Sequence, residues 1–207
     1  MSSVADHVLR VLERLPAAPG YWVAFSGGVD SRVLLQALAE RRADLTGPLG
    51  AVHVDHGLNP DSTAWARYCS RVCRQLGVPC VQLSVNAEPS PGESPEAAAR
   101  RARYASLGRW LPAGHCVLSA HHQDDQAETL LLQLLRGSGP RGLAAMPLVA
   151  PLAGGTLVRP MLGLGRADLR RFAQDRGLDW VDDPSNADTA YDRNYLRHDV
   201  LPGLRAR

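Results

Sequence analysis

The sequence predicts an α/β fold built on a doubly wound parallel sheet. Short apolar runs alternate with stretches of helical period, and the runs recur about 30 residues apart. The 207 residues are 45% hydrophobic and 21% charged, which supports one compact domain with a sizeable core. Alternation at this spacing makes right-handed βαβ units, with helices on both faces of the sheet.

The elements follow in order. The N-terminal MSSVADHVLRVLERLP is charged throughout and lacks the apolar core of a signal peptide. No apolar run approaches the ~18 residues that span a membrane, so the expectation is a cytoplasmic chain with no membrane partner. Strands are expected at Tyr21 (YWVAF), Leu49 (LGAVHV), Cys80 (CVQLSV) and Cys116 (CVLSA). The helices that follow them are Arg32–Ala43, Ser62–Leu76, Glu96–Trp110 and Asp125–Leu135. Trp65, Tyr68, Val72 and Leu76 share one stripe of the second, and Ser94 with Pro95 suits the start of the third. Beyond Pro160 a helix is expected at Arg166–Arg176 and a short strand at Asp179–Val181, then DDPSNADTAYDRN and a final turn. Asn86–Gly92 and Gly137–Gly142 read as mobile connections.

Composition excludes some chemistry. All 23 basic residues are arginine, and the chain has neither lysine nor isoleucine. It therefore forms no Schiff base, carries no AMP on lysine and has no Walker A loop. A net charge of +2 gives no general argument for nucleic acid. Cys69, Cys73, Cys80 and Cys116 contain no Cys-x-x-Cys pair; Cys69 and Cys73, four apart on an apolar helix face, are expected to pack rather than to ligate, and no disulfide framework is expected.

In sheets of this class, ligands bind outside the carboxyl ends of the strands. The loop after the first strand is Ser26-Gly27-Gly28-Val29-Asp30-Ser31. Its glycines let backbone approach a phosphate, the following helix N-terminus supplies N–H donors, and Asp30 can hold Mg²⁺ beside the phosphates. A tight turn capped by Ser31 or Asp30 is the plainer alternative. After the second strand come His53, Asp55 and His56, more suited to lining a pocket than to binding a metal. After the fourth lie His121, His122, Asp124, Asp125 and Glu128. Asp125 and Glu128, three apart, project from one helix face. Acids in a first turn offset the macrodipole, but that does not account for two histidines beside them.

SGGVDS resembles the signature loop of the ATP pyrophosphatase superfamily, the PP-loop enzymes, which split ATP between the α and β phosphates. The wider set is HVDHGL, EAAAR, HHQDDQAET, RGSG and the RN-x-x-R of Arg193, Asn194 and Arg197. It is similar to the tRNA(Ile)-lysidine synthase family, from Tyr21 to Pro202. That resemblance implies a Rossmann-like, adenine nucleotide alpha hydrolase-like fold. It implies ATP-dependent ligation of free L-lysine to C2 of the wobble cytidine, position 34, of a CAU-anticodon isoleucine tRNA. An adenylated cytidine would be the intermediate, and lysidine, AMP and pyrophosphate the products. ATP and Mg²⁺ are the implied cofactors, tRNA(Ile) and L-lysine the partners; whether two copies pair is left open.

By the same resemblance, Ser26, Gly27, Gly28, Val29, Asp30, Ser31 and His53 would bind ATP. Asp30 and Asp124 would neighbour the metal, although the sequence does not separate Asp124 from Asp125 there. Asp125 and Glu128 would bind lysine, and His121 would handle its ε-ammonium proton. Asp30, His121, Asp125, Arg103, Arg193 and Arg197 make up the implied catalytic set, with the arginines on phosphates or the adenylate. Residues 1–160 would form the PP-loop core and 161–207 an extension of the same catalytic domain. The family's C-terminal tRNA-gripping domains have no counterpart in the sequence, so weak, salt-sensitive tRNA affinity is expected. The rivals are a PP-loop tRNA thiolase, which would need cysteine pairs, and a non-catalytic ATP sensor, which would need no acidic cluster.

Overall fold

The computed structural model describes residues 3–57 and 61–206. Six strands form one sheet: β1 (Tyr21–Ala24), β2 (Leu49–Asp55), β3 (Cys80–Ser84), β4 (Cys116–Leu118), β5 (Val149–Leu152) and β6 (Gly155–Val158). Their spatial order is β3-β2-β1-β4-β6-β5, and only the β5–β6 pair is antiparallel. The chain winds outward from β1 to β3 and then returns to β1's other side to lay down β4. Successive crossovers therefore diverge between β1 and β4, and a crevice opens at their carboxyl ends.

One face is covered by α1 (Val4–Glu13), α2 (Val29–Glu40), α3 (Ser62–Leu76) and α7 (Arg166–Asp175). Val8, Leu34, Leu38, Cys69, Val72, Leu169 and Phe172 pack there against Val23, Phe25 and Leu118. The other face carries α4 (Pro95–Trp110), whose Leu107 meets Val52, Val117 and Leu157. Trp110 also stands edge-on to Trp22 at 4.8 Å. Ser94 Oγ accepts from Ala97 N at 3.2 Å, so the expected cap forms. The four cysteines are free; Cys69 and Cys73 lie in the core, as expected.

The structure differs from the sequence reading in four places. The N-terminal segment, read only for the lack of a leader, is an amphipathic helix started by a reciprocal Ser3–Asp6 capping box. The β5–β6 hairpin has no counterpart in that reading. Pro151 interrupts its first run, and a proline is tolerated here because β5 is the sheet edge. Asp179–Val181 is extended but joins no sheet. It crosses the carboxyl ends instead, where Val181 N donates to Gly27 O at 3.0 Å and Tyr68 Oη donates to Asp179 O at 2.6 Å. The glycine-rich connection at 137–142 enters a short helix, α6 (Pro140–Leu143).

Two elements remain. α5 (Gln123–Leu135) leaves the end of β4, and the C-terminal segment lies against it. That segment runs through α8 (Asp192–Tyr195), a π-type turn (Leu196–Val200) and α9 (Leu201–Arg205). Among the described residues no helix is long and apolar enough to cross a membrane.

Candidate active site

Two helix N-termini converge on the crevice, because β1 feeds α2 and the adjacent β4 feeds α5. The loop Ser26–Ser31 makes the first half. Gly27 sits at φ +91°, a conformation side chains resist, and a Cβ there would lie 3.3 Å from the Tyr68 ring. Ser31 Oγ donates to Gly28 O at 3.0 Å and lies 3.1 Å from Ser26 Oγ, so the loop ties its own ends. Gly28 is the N-cap of α2 and offers no side chain to its first-turn amides. Those donors are left for an anion, favoured by the helix dipole.

His53 is placed differently from the expectation. It is buried beneath the loop, where its Nδ1 donates to Phe25 O at 2.9 Å and lies 3.5 Å from Cys69 Sγ. It braces the cradle from behind rather than lining it. At the end of β2, His56 Nε2 lies 3.3 Å from both Nε and Nη2 of Arg103, which donate to it. Burial and the Arg103 charge push His56 down to about 4, so it is neutral at pH 7. Leu58 of the HVDHGL motif lies outside the described residues.

The first turn of α5 makes the second half. His122 is its N-cap: Nδ1 accepts from Asp124 N at 3.2 Å, while His122 N donates to Asp125 Oδ2 at 2.9 Å. The ring is 1% exposed, and its Nε2 stands 3.5 Å from Asp30 Oδ2 and 3.6 Å from Asp125 Oδ2. Burial opposes charge on this ring, but Asp30, Asp125 and Asp124 outweigh it and hold the pKa above the ordinary histidine value. His121 goes the other way. Burial, helped by Arg159, Arg100 and Arg193, drives it down to about 4 against the pull of Asp125. Its Nδ1 is 2.8 Å from Ser119 Oγ. The expectation that His121 titrates near working pH is corrected: burial, with the arginines around it, keeps it neutral.

The acids divide into distinct tasks. Asp30 Oδ1 is buried with no hydrogen-bond partner among the described residues, which leaves an oxygen for a ligand or cation. Asp124 has protein partners of its own. Its Oδ2 accepts from Arg166 N at 2.9 Å and its Oδ1 pairs with Arg205, fastening α5 to α7 and α9. Each oxygen thus has one protein partner, and the carboxylate lies off the opposite nitrogen of His122. Glu128 is 0% exposed and accepts from Arg197 Nε and Nη2 at 2.7 and 3.0 Å. Arg197 Nη2 also lies 3.6 Å from Asp125 Oδ1, and Arg193 Nη2 donates to Thr129 Oγ1 at 2.9 Å. The presumed ammonium-binding acids thus already hold a guanidinium.

The structure therefore gathers Ser26–Ser31, Asp30, His121, Asp125, Glu128, Arg193 and Arg197 about the crevice, with Arg103 at the end of β2. Two contributors went unassigned in the sequence. His122 is at the centre of the cluster, and the doubled histidine was its signal. Arg205 holds Asp124, and no motif marked it.

Comparisons with known proteins fit this geometry. The PP-loop domain family model matches residues 2–204. The tRNA(Ile)-lysidine synthase of Alkalilimnicola ehrlichii is 52% identical over 98% of this chain, which spans 45% of that protein. Those of Methylococcus capsulatus and Pseudomonas aeruginosa are 51% and 50% identical over 90% and 96% of the chain, covering 43% and 45% of theirs. The chain thus spans about half the length of these relatives. A U34-tRNA thiolase from Methanococcus maripaludis superposes with a TM-score of 0.76 over 98% of this chain and 72% of its own, at 16% identity, and so shares the fold. With its glycine cradle between β1 and α2 and a family match over nearly its whole length, the chain belongs to the PP-loop domain family.

Proposed function

We propose that this chain performs the chemistry of lysidine formation. It would use ATP to adenylate O2 of the wobble cytidine in a CAU-anticodon isoleucine tRNA and then join free L-lysine to C2, as a carbon–nitrogen ligase of the cytoplasm. One observation carries the reading: an anion cradle and a cluster of acids meet across a single buried imidazole, so a triphosphate and an ammonium can be held side by side. The names of relatives about half identical to the chain point the same way.

In this reading the α2 amides and the Ser26 and Ser31 hydroxyls hold the pyrophosphate end of ATP. Asp30, with its unpartnered oxygen, would hold Mg²⁺, which offsets the charge that develops on the departing pyrophosphate. The C2 carbonyl of cytosine is conjugated and a poor electrophile; adenylation of O2 turns that oxygen into a leaving group. Asp125 and Glu128 draw in the lysine ammonium, and Arg197 yields part of its hold on them as the substrate cation enters. The arginines that depress His121 also favour the uncharged amine, and His121, itself neutral, accepts a hydrogen bond from it. Arg103 and Arg193 take RNA or adenylate phosphates, for which a planar fork is suited.

The thiolase alternative requires cysteines at the reacting centre. Here Cys69 and Cys73 lie in the core, and burial raises the Cys69 thiol to about 12. The deciding experiment is mass spectrometry of the tRNA after incubation with this chain, ATP, Mg²⁺ and lysine at low salt. A lysine-dependent mass gain at the wobble cytidine is expected. A tRNA recovered with no lysine-dependent mass gain, or a gain that does not require lysine, would refute the reading.

A further inference from the structure

His122 stands between the two halves of the crevice, within ionic reach of an acid from each. As an N-cap its work is finished by Nδ1, which accepts from Asp124 N. Asparagine or serine would do that equally well and without burying an imidazole. The ring is nonetheless 1% exposed and spans onward, with Nε2 3.5 Å from Asp30 Oδ2 and 3.6 Å from Asp125 Oδ2. The backbone amide at Nδ1 fixes the tautomer: in the neutral ring the single proton is on Nε2, the nitrogen nearest the two carboxylates. One of these belongs to the first turn of α2, the other to the first turn of α5. The same oxygen of Asp125, Oδ2, also accepts from the His122 backbone N–H at 2.9 Å, so one residue faces that carboxylate twice.

We propose that His122 is a positioning residue that sets Asp30 and Asp125 relative to one another, so that the nucleotide subsite and the amine subsite are registered through one imidazole N–H. The inference rests on the lysidine reading for the identity of the amine, but its nucleotide arm stands without it. Only a group that reaches both carboxylates while capping α5 can act this way. Aspartate would add a third negative charge, and asparagine is too short to reach Asp30.

The difference in reach supplies the test. His122→Asn keeps the cap and deletes the bridge, whereas His122→Ala deletes both. Outer partners of this kind are worth about 10–100-fold in affinity or activity, and small misplacements of reacting groups up to about 100-fold in rate. For His122→Asn the expected result is a chain that still folds with a modestly lowered melting temperature, Mg²⁺–ATP affinity weakened about tenfold by calorimetry, and kcat lowered by about 100-fold. In an Asp125→Asn background the same change should add little to the rise in lysine KM, because the group it positions is already gone. Native Mg²⁺–ATP affinity in a folded His122→Asn chain would overturn the proposal. So would lysine-KM effects that multiply independently in the double variant.

Should the asparagine variant fail to fold, ¹⁵N spectra of the otherwise native chain decide instead. The His122 Nε2 resonance should move when either Asp30→Asn or Asp125→Asn is introduced, and a resonance indifferent to one of them overturns the bridge. A wild-type chain that binds Mg²⁺–ATP but forms no lysidine would sink the functional reading alone, since the calorimetric and spectroscopic arms still decide His122.

Discussion

Arg197→Met tests whether the C-terminal segment holds the acidic cluster in place. Glu128 is 0% exposed and both of its oxygens accept from the Arg197 guanidinium, at 2.7 and 3.0 Å. Removing one partner of a buried pair costs about 3–5 kcal/mol, because the remaining charge is left uncompensated. Arg197 is 19% exposed, so water relieves part of that penalty and the lower end, about 3 kcal/mol, applies. A chain of this length loses about 2–4 °C per kcal/mol, which gives a fall in Tm of about 6–12 °C by calorimetry. Replacing both residues, Glu128→Leu with Arg197→Met, removes the orphaned charge and should recover most of the loss. In Arg197→Ala, millimolar free lysine should raise Tm by binding the vacated acids, while the wild type responds much less. A single variant that melts within 2 °C of wild type, or a double variant no better than the single, would refute the reasoning.

Three further outcomes are expected. Gly27→Ala forces a side chain into φ +91° against the Tyr68 ring. It should lower stability by about 1–3 kcal/mol and weaken nucleotide binding in the same calorimetric titration. His121 and His56, both held down to about 4, bind fewer protons folded than unfolded between that value and the ordinary ~6.5. Their contribution is therefore complete above pH 6.5 and is lost as pH falls toward 4. Urea unfolding from pH 7.5 to 4.5 should show the slope, and His121→Asn should flatten it. His122, held above its ordinary value, contributes with the opposite sign: its share is complete at low pH and fades as pH rises through the folded pKa. Finally, Arg103 donates to the neutral His56, which carries no charge to offset its own and leaves it suited to phosphate. Arg103→Gln should weaken tRNA binding and reduce the salt slope of log K by about 1, read by filter binding between 50 and 200 mM salt.

The sequence was most informative where backbone rules are strict. Strand–helix alternation, SGGVDS at a strand end and Ser94-Pro95 at a helix start each follow from local geometry, and each is found in the structure. It was least informative where tertiary partners decide. Nothing local to Asp124 shows that Arg166 N and Arg205 use both of its oxygens, 42 and 81 residues away. His121 and His122 are indistinguishable as letters, yet one is drawn down by burial and nearby arginines and the other up by carboxylates. His53 likewise faces the pocket in period-2 logic, but α3 places Cys69 against it and turns it into a brace. Glu128 read as an open carboxylate because its partner lies in a segment whose fold periodicity does not fix.

The two borders of the sheet are finished differently, and this bears on how the chain behaves when crowded. An unprotected edge strand is a template for another chain, and neighbouring molecules can add to it indefinitely. At the β5 border, Pro151 removes one donor from a strand of four residues, and the Ala153–Gly154 turn at φ +49° folds that strand tightly back on β6. A growing stack would meet a short, gapped ladder there. The β3 border has no proline between Cys80 and Ser84, but α3 lays Arg67, Arg71 and Arg74 beside it, and like charges on an incoming copy would repel. Resistance to aggregation is thus built from a missing proton on one side and from electrostatic repulsion on the other, and only the second should fail as salt is raised.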